Sequence, residues 1–161
     1  MKLILGSDRS GYSLRCALEQ QLQQEHSLTI LGPCNVEEPV PFYETAAQAA
    51  RALQAGEAER AILICGTGMG VAQVANKFKG VRAACVESVY AANMARAIND
   101  SNVLCLGGWF IAPELGLQIA QAFLGTAFTE GLEPWRGDWL RGAKEQIAAL
   151  EEEIFKYSGS I

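Results

Sequence analysis

Short apolar runs alternate along the chain with longer segments in which apolar side chains recur every three or four residues. The runs at 2–5, 28–31, 61–64, 82–86 and 103–106 predict strands, and the segments at about 13–24, 43–55, 70–77, 88–98 and 113–124 predict helices. Strands with so few polar interruptions suit a sheet covered on both faces rather than one with a face turned to water. A strand–helix–strand rhythm builds parallel neighbours through right-handed crossovers. The expected fold is a three-layer α/β/α sandwich around a five-stranded, parallel, Rossmann-like sheet in the order 2-1-3-4-5.

An extra C-terminal helix is predicted over 138–156, where Leu140, Ala143, Ile147, Leu150 and Ile154 repeat at helical spacing. A stretch rich in glycine and proline, 125–137, leads into it, with Trp135 and Trp139 at the junction. A helix that arrives after the sheet is already wrapped is expected to pack on a second subunit. Residues 126–161 thus read as a C-terminal extension of a single domain spanning 1–161, and the acidic run Glu151 to Glu153 as its solvated face.

Composition agrees with one compact domain: of 161 residues, 50% are apolar and 19% charged, which argues against a disordered or collagen-like chain. A formal net charge of −5 argues against nucleic acid as a partner, since a backbone binder needs a basic surface. The single histidine, His26, excludes multi-histidine zinc sites and histidine-based triads, and its polar helix-end setting gives it no assigned role. Cys16, Cys34, Cys65, Cys85 and Cys105 form no C-x-x-C pair, and their odd count fits reduced thiols of a cytoplasmic protein. Neither a leader nor a spanning apolar run is read from the sequence, so no membrane partner is expected.

Glycines mark the carboxyl ends of three predicted strands: Gly6 and Gly11 after the first, Gly66, Gly68 and Gly70 after the third, Gly107 and Gly108 after the fifth. Open parallel sheets bind ligands at those ends, where the strand order reverses, and this places residues 7–11 opposite 65–70. The run Cys65-Gly66-Thr67-Gly68-Met69-Gly70 lets successive backbone N–H groups converge at a helix start, a nest for an anion or oxyanion. It is not a Walker-type phosphate loop, and a dinucleotide fingerprint fits poorly because its third glycine falls on Val71, with Glu87 as the one feature in its favour.

Cys65 stands just ahead of the nest, where oriented amides and a helix dipole favour a thiolate. The competing reading is a small, buried, inert cysteine, the role expected of Cys16, Cys34, Cys85 and Cys105. Thr67 either orients a substrate oxygen or caps the helix. Asp8 either moves a proton and binds a substrate hydroxyl or caps the first helix. Arg9 is a candidate anion ligand or a solvated side chain, and Asn99 with Asp100 marks a site edge or an ordinary turn.

The run Ile62-Leu-Ile-Cys-Gly-Thr-Gly-Met-Gly70, continued by Ala75-Asn-Lys-Phe-Lys-Gly-Val-Arg82, resembles the core of the type B ribose-5-phosphate isomerases, a family that includes galactose-6-phosphate isomerase subunits. Gly6-Ser-Asp8 with Gly11, and Asn99-Asp-Ser-Asn-Val-Leu104, extend the resemblance over roughly residues 1–130. It implies a homodimer or homotetramer whose active sites are shared between subunits, converting aldose and ketose phosphates without metal or organic cofactor. By this resemblance Cys65 is the base that moves a proton between C1 and C2 through a cis-enediol(ate), assisted by Thr67, with Asp8 kept as a catalytic candidate from its place on the facing loop. Gly66, Gly68, Met69 and Gly70 then hold the developing charge; Arg9, Arg136 and Arg141, which depart from the family pattern, are the candidates for a rebuilt anion site, and Asn99 for a substrate-binding site edge.

The departures are informative. Family members normally carry histidine where this chain has Arg9, and many carry a second, associated with opening the furanose ring, where this chain has Ile98. Isoleucine transfers no proton. The family's arginine after the fifth strand gives way to Gly108-Trp109, its Asp-Tyr-Pro to Pro39-Val-Pro41, and its C-terminal arginine pair to Arg136 and Arg141 at altered spacing. Trp109, Trp135 and Trp139 are expected in the core by default, or else as walls of the crevice. The expected function is isomerisation of a small open-chain sugar phosphate. A tetrose or tetrulose 4-phosphate is favoured over ribose 5-phosphate, because a four-carbon sugar blocked at its terminal hydroxyl has no ring to open. The alternative is a non-catalytic sugar-phosphate binding or regulatory protein on the same scaffold.

Overall fold

The computed structural model describes residues 1–38 and 40–157; Pro39, the first residue of Pro39-Val-Pro41, and the end of the predicted extension, 158–161, lie outside the described residues. The strands are β1 (Lys2–Ser7), β2 (Ser27–Leu31), β3 (Arg60–Cys65), β4 (Ala83–Cys85) and β5 (Val103–Gly107). Between and after them run α1 (Tyr12–Leu22), α2 (Phe42–Gln54), α3 (Met69–Ala75), α4 (Val89–Ala97), α5 (Pro113–Gly125) and α6 (Pro134–Tyr157). All strand pairs are parallel.

The alternation of side chains along each strand divides the core into two layers. Leu3, Leu5, Ile62, Ile64, Leu104 and Leu106 pack with α1, α4 and α5 around the fully buried Phe123. Ile4, Leu63, Cys65, Val103 and Cys105 point the other way, onto Ala46, Ala49 and Ala50 of α2 and Val71, Ala72 and Ala75 of α3. Small alanines let these two helices lie close to the sheet, and each layer excludes water from one face of the same central strands. Among the described residues no helix is long and apolar enough to cross a membrane.

The strand order corrects the sequence expectation: it is β2-β1-β3-β5-β4, not 2-1-3-4-5. The reason lies in burial. Every residue of β5 is buried, so it needs a neighbour on each side. β4 is three residues long, half-buried or exposed throughout and flanked by Arg82 and Glu87, which suits an edge. The reversal point stays between β1 and β3, but the turn after β5, not the one after β4, now borders β3.

α6 begins at Pro134, earlier than the predicted 138, because proline is tolerated in a first helical turn and Gly137 can seat against Thr129 and Arg141. Of the predicted apolar stripe only Leu140 is buried; Ile147, Leu150 and Ile154 are more than half exposed. The helix is tied to the body by polar contacts, Lys144 to Asp100, Gly80 N–H to Glu151 Oε1 at 2.8 Å, and Lys79 to Glu152.

Candidate active site

Three loops meet at the carboxyl ends of β1, β3 and β5. The Asp8 N–H donates to the Ile64 carbonyl at 3.2 Å and the Gly108 N–H to the Cys65 carbonyl at 2.8 Å, which continues the sheet's hydrogen bonding into the loops. Gly11 is obligatory here, since a Cβ would lie 2.4 Å from the Ile64 oxygen. Asp8 Oδ1 accepts the Gly11 N–H at 2.9 Å and so closes the turn ahead of α1, but the N-cap of α1 is Gly11 and carries no side-chain hydrogen bond, so Asp8 does not occupy the helix-capping position read for it.

Cys65 ends β3 as a buried residue, and its Sγ accepts the Gly68 N–H at 3.2 Å. That donor is aimed by the left-handed conformation of Gly68, φ 76°, at the N-cap of α3. A side chain on Gly68 would be strained by φ and would meet Cys85 Sγ and the Leu106 carbonyl carbon, each at 2.9 Å. Thr67 Oγ1 accepts the Met69 N–H at 3.3 Å, which leaves the hydroxyl hydrogen to donate outward. Arg9 is exposed on the loop after β1 and Met69, the first residue of α3, is 54% exposed. Asp8, Arg9, Cys65, Gly66, Thr67, Gly68, Met69 and Gly70 therefore share one end of the sheet.

Asn99, Arg136 and Arg141 do not. Asn99 follows α4 and precedes β5, and it lines a cavity of about 290 Å³ with Ile98, Trp139 and Lys144. Arg141 donates to Thr129 Oγ1 at 3.1 Å, Thr129 N–H donates to the Ala97 carbonyl at 2.9 Å, and Arg136 is exposed in the first turn of α6. Cys65 is in register with Gly107, the last residue of β5, so the two groups lie apart by at least that strand, about 13 Å at 3.3 Å per residue. Asp100 is structural: its backbone is left-handed, φ 47°, and its carboxylate receives Arg96 at 2.9 Å, Arg82 at 3.1 Å and Lys144. Burial alone would raise this carboxyl, but the Lys144 hydrogen bond and charge, then Arg82 and Arg96, outweigh it and hold it below its ordinary value.

Two expectations about side chains are corrected. Trp109, Trp135 and Trp139 are 72%, 70% and 66% exposed, so none packs in a core. Trp109 instead lays its indole on Gly66, where a Cβ would come within 2.6 Å of the ring, and its backbone N–H donates to the Gly66 carbonyl at 3.1 Å. The sequence offered Trp109 as a crevice wall only beside the default core role; the strand order is what sets it against Gly66. The cysteines also differ: Cys105 is buried, Cys16 half-buried, and Cys34 and Cys85 exposed, and Cys85 Sγ lies 3.7 Å from the Thr67 carbonyl oxygen. No group of three or more His, Cys, Asp or Glu able to hold a metal occurs among the described residues.

A parallel sheet with a thiol and an oxyanion nest at its reversal point defines a scaffold for proton transfer next to a carbonyl. Residues 3–136 match the model of the Ribose/Galactose Isomerase family, and the chain belongs to that family. It is 53% identical over 97% of its length, and 99% of the relative's, to 4-deoxy-4-sulfo-D-erythrose isomerase of Clostridium sp. strain MSTE9. It is 35% identical to D-erythrulose-4-phosphate isomerase 2 of Mycolicibacterium smegmatis, over 80% of this chain and 86% of that one. The Clostridium thermocellum ribose-5-phosphate isomerase B structure superposes with a TM-score of 0.86 at 32% identity, covering 96% of this chain and 99% of that one. The chain is accordingly an aldose–ketose isomerase acting on a small sugar.

Proposed function

We propose that this isomerase interconverts an open-chain four-carbon aldose and its ketose, the sugar carrying a sulfonate at C4. The observation that carries the reading is a proton-transfer centre with no ring-opening partner. Cys65 Sγ sits 3.2 Å from the Gly68 N–H, Ile98 occupies the ring-opening position, and His26 lies apart, in a cavity between the ends of α1 and α5. A sulfonate bonded to C4, like a phosphate ester there, removes the hydroxyl a furanose would need. Sulfonate is favoured over phosphate by the 53% identity to the sulfo-sugar isomerase, which extends through α6, and by Trp109 standing where an arginine is expected.

In the aldose-to-ketose direction the Cys65 thiolate takes the C2 proton and the electron pair moves to O1, giving a cis-enediolate. The Gly68 N–H and its neighbours in the nest hold that charge. Thr67 passes the O2 proton to O1, and the Cys65 thiol returns its proton to C1, so the atoms balance without a redox partner. Asp8 binds a substrate hydroxyl and Arg9 faces the terminal anion. Asn99, Arg136 and Arg141 act in the site of a second copy, because they lie at the far end of the sheet in their own. The working unit is then a homodimer or homotetramer with shared sites, and α6 packs at the subunit boundary.

Turnover of 4-deoxy-4-sulfo-D-erythrose, D-erythrose 4-phosphate and D-ribose 5-phosphate, measured side by side, tests this. The sulfonate is expected to be best and ribose 5-phosphate worst. A preference for ribose 5-phosphate overturns the open-chain reading. A preference for erythrose 4-phosphate replaces sulfonate by phosphate, and saturable binding without turnover of any would favour a binding protein.

A further inference from the structure

The absence of a ring-opening group explains why a cyclic sugar fails, but it does not set chain length. Ribulose 5-phosphate is also open-chain, since its C5 hydroxyl is esterified, and would enter unless something limits the length of the substrate. We infer that Trp109 is that limit: it closes one side of the glycine nest so that a four-carbon chain fits and a five-carbon chain does not. This rests on the four-carbon reading above and adds the residue that enforces it.

Trp109 is 72% exposed and belongs to neither core layer, so its large apolar face is not spent on folding. It is nevertheless firmly mounted. Its backbone N–H and that of Gly108 donate to the carbonyls of Gly66 and Cys65, at 3.1 and 2.8 Å. Behind it Phe110 wedges the turn against Gly107, where a Cβ would come within 2.2 Å of the ring. The indole thus lies on the residue next to the base. At the other end of the nest the Phe42 ring abuts Gly70, where a Cβ would be 2.9 Å away, and Tyr43 meets Phe42 edge-on with centroids 5.5 Å apart.

A sugar with C1 and C2 at Cys65 therefore extends its chain between two aromatic walls. One more carbon–carbon bond must either push the terminal anion off its ligands or lift C2 from the sulfur. A displacement of about 1 Å at the reacting atoms costs on the order of 10²-fold in rate. An arginine at this place would bend away from a longer chain; an indole pinned against glycine does not.

The test compares kcat/KM for D-erythrulose 4-phosphate and D-ribulose 5-phosphate, which are both acyclic and carry the same anion, in the unsubstituted enzyme, Trp109→Ala and Trp109→Phe. The unsubstituted enzyme is expected to prefer the tetrulose. Trp109→Ala should move the ratio toward the pentulose by about 10- to 100-fold, the range a pocket wall of this kind discriminates, with Trp109→Phe between. An unchanged ratio in both variants, or equal losses on both substrates, overturns the assignment. A preference for the pentulose before any substitution overturns the four-carbon reading itself, so the two failures are distinguishable. Trp109→Phe preserves an aromatic cover on Gly66 and keeps the comparison valid if the alanine variant unfolds.

Discussion

Cys65 owes its place to residues around it that have almost no side chain. Gly68 aims its N–H at the sulfur only because its φ of 76° is open to glycine and the space beside it is filled by Leu106 and Cys85. Gly68→Ala is expected to cost about 1–3 kcal/mol of stability from backbone strain, read by urea unfolding, and to lower kcat further by moving the donor. Cys65→Ala should reduce isomerisation by on the order of 10²- to 10⁴-fold with the fold retained, and should abolish exchange of substrate hydrogen with deuterated solvent. Near-normal exchange in that variant would exclude Cys65 as the base. The other buried thiol is unsuited to that work: burial, then the Cys85 and Cys65 thiols, pushes Cys105 well above its ordinary value. The glycine nest was legible in the sequence because a positive φ and close backbone approach are local demands. The contact of Trp109 with Gly66 was not, because nothing within residues 107–111 says which strand lies beside β5.

At the level of elements, Asp100 joins three of them: Arg96 from the end of α4, Arg82 ahead of β4 and Lys144 on α6. Its carboxylate is held below its ordinary range, so the stability it contributes is full above the unfolded value, about pH 3.9, and disappears as pH falls through the lower folded value. Asn tolerates the left-handed backbone at this site, so Asp100→Asn isolates the charge. The variant should be less stable by about 1.5–3 kcal/mol at pH 7, and the difference should vanish in strong acid, as followed by thermal melts across pH. A deficit that stays constant down to pH 2 would assign the effect to packing instead. Reading Asn99-Asp100 as either site edge or turn treated the two alike, whereas the Asp100 carboxylate is taken up by three cations and Asn99 lines a cavity. Likewise, β4 is shorter than the predicted 82–86: its ladder covers Ala83–Cys85, while Arg82 and Val86 keep hydrogen-bonded links to the β5 segment, the Arg82 carbonyl accepting the Asn102 N–H at 3.0 Å and the Val86 N–H donating to the Cys105 carbonyl at 3.3 Å.

For the whole molecule, the predicted site residues fall into two groups at opposite ends of one sheet, which is the observation behind the proposal of shared sites. Cys65→Ala and Asn99→Ala variants, each impaired alone, should complement when unfolded and refolded together. In a two-fold dimer half the molecules are mixed and half their sites intact, so about one quarter of sites should recover. Recovery no greater than the sum of the separate variants would place Asn99 outside the partner's site. The exposed apolar residues of α6, Trp135, Trp139, Ile147 and Leu150, fit the same arrangement, and size-exclusion chromatography should return more than one copy.

What the sequence determined by itself was whatever depends on near neighbours in the chain. Short apolar runs marked every strand, glycine spacing marked the nest, and one histidine with Ile98 bore on the substrate. Each of these is a constraint of backbone conformation or of chemical inventory. What the tertiary structure decided was adjacency between distant segments. The apolar runs of β4 and β5 could each be placed beside β3, and only the greater burial of β5 assigns it the inner position. That assignment brought Trp109 onto Gly66 and left Asn99, Arg136 and Arg141 a strand's length from Cys65, because neighbours in a sheet are chosen by the surface they bury and not by their order in the chain.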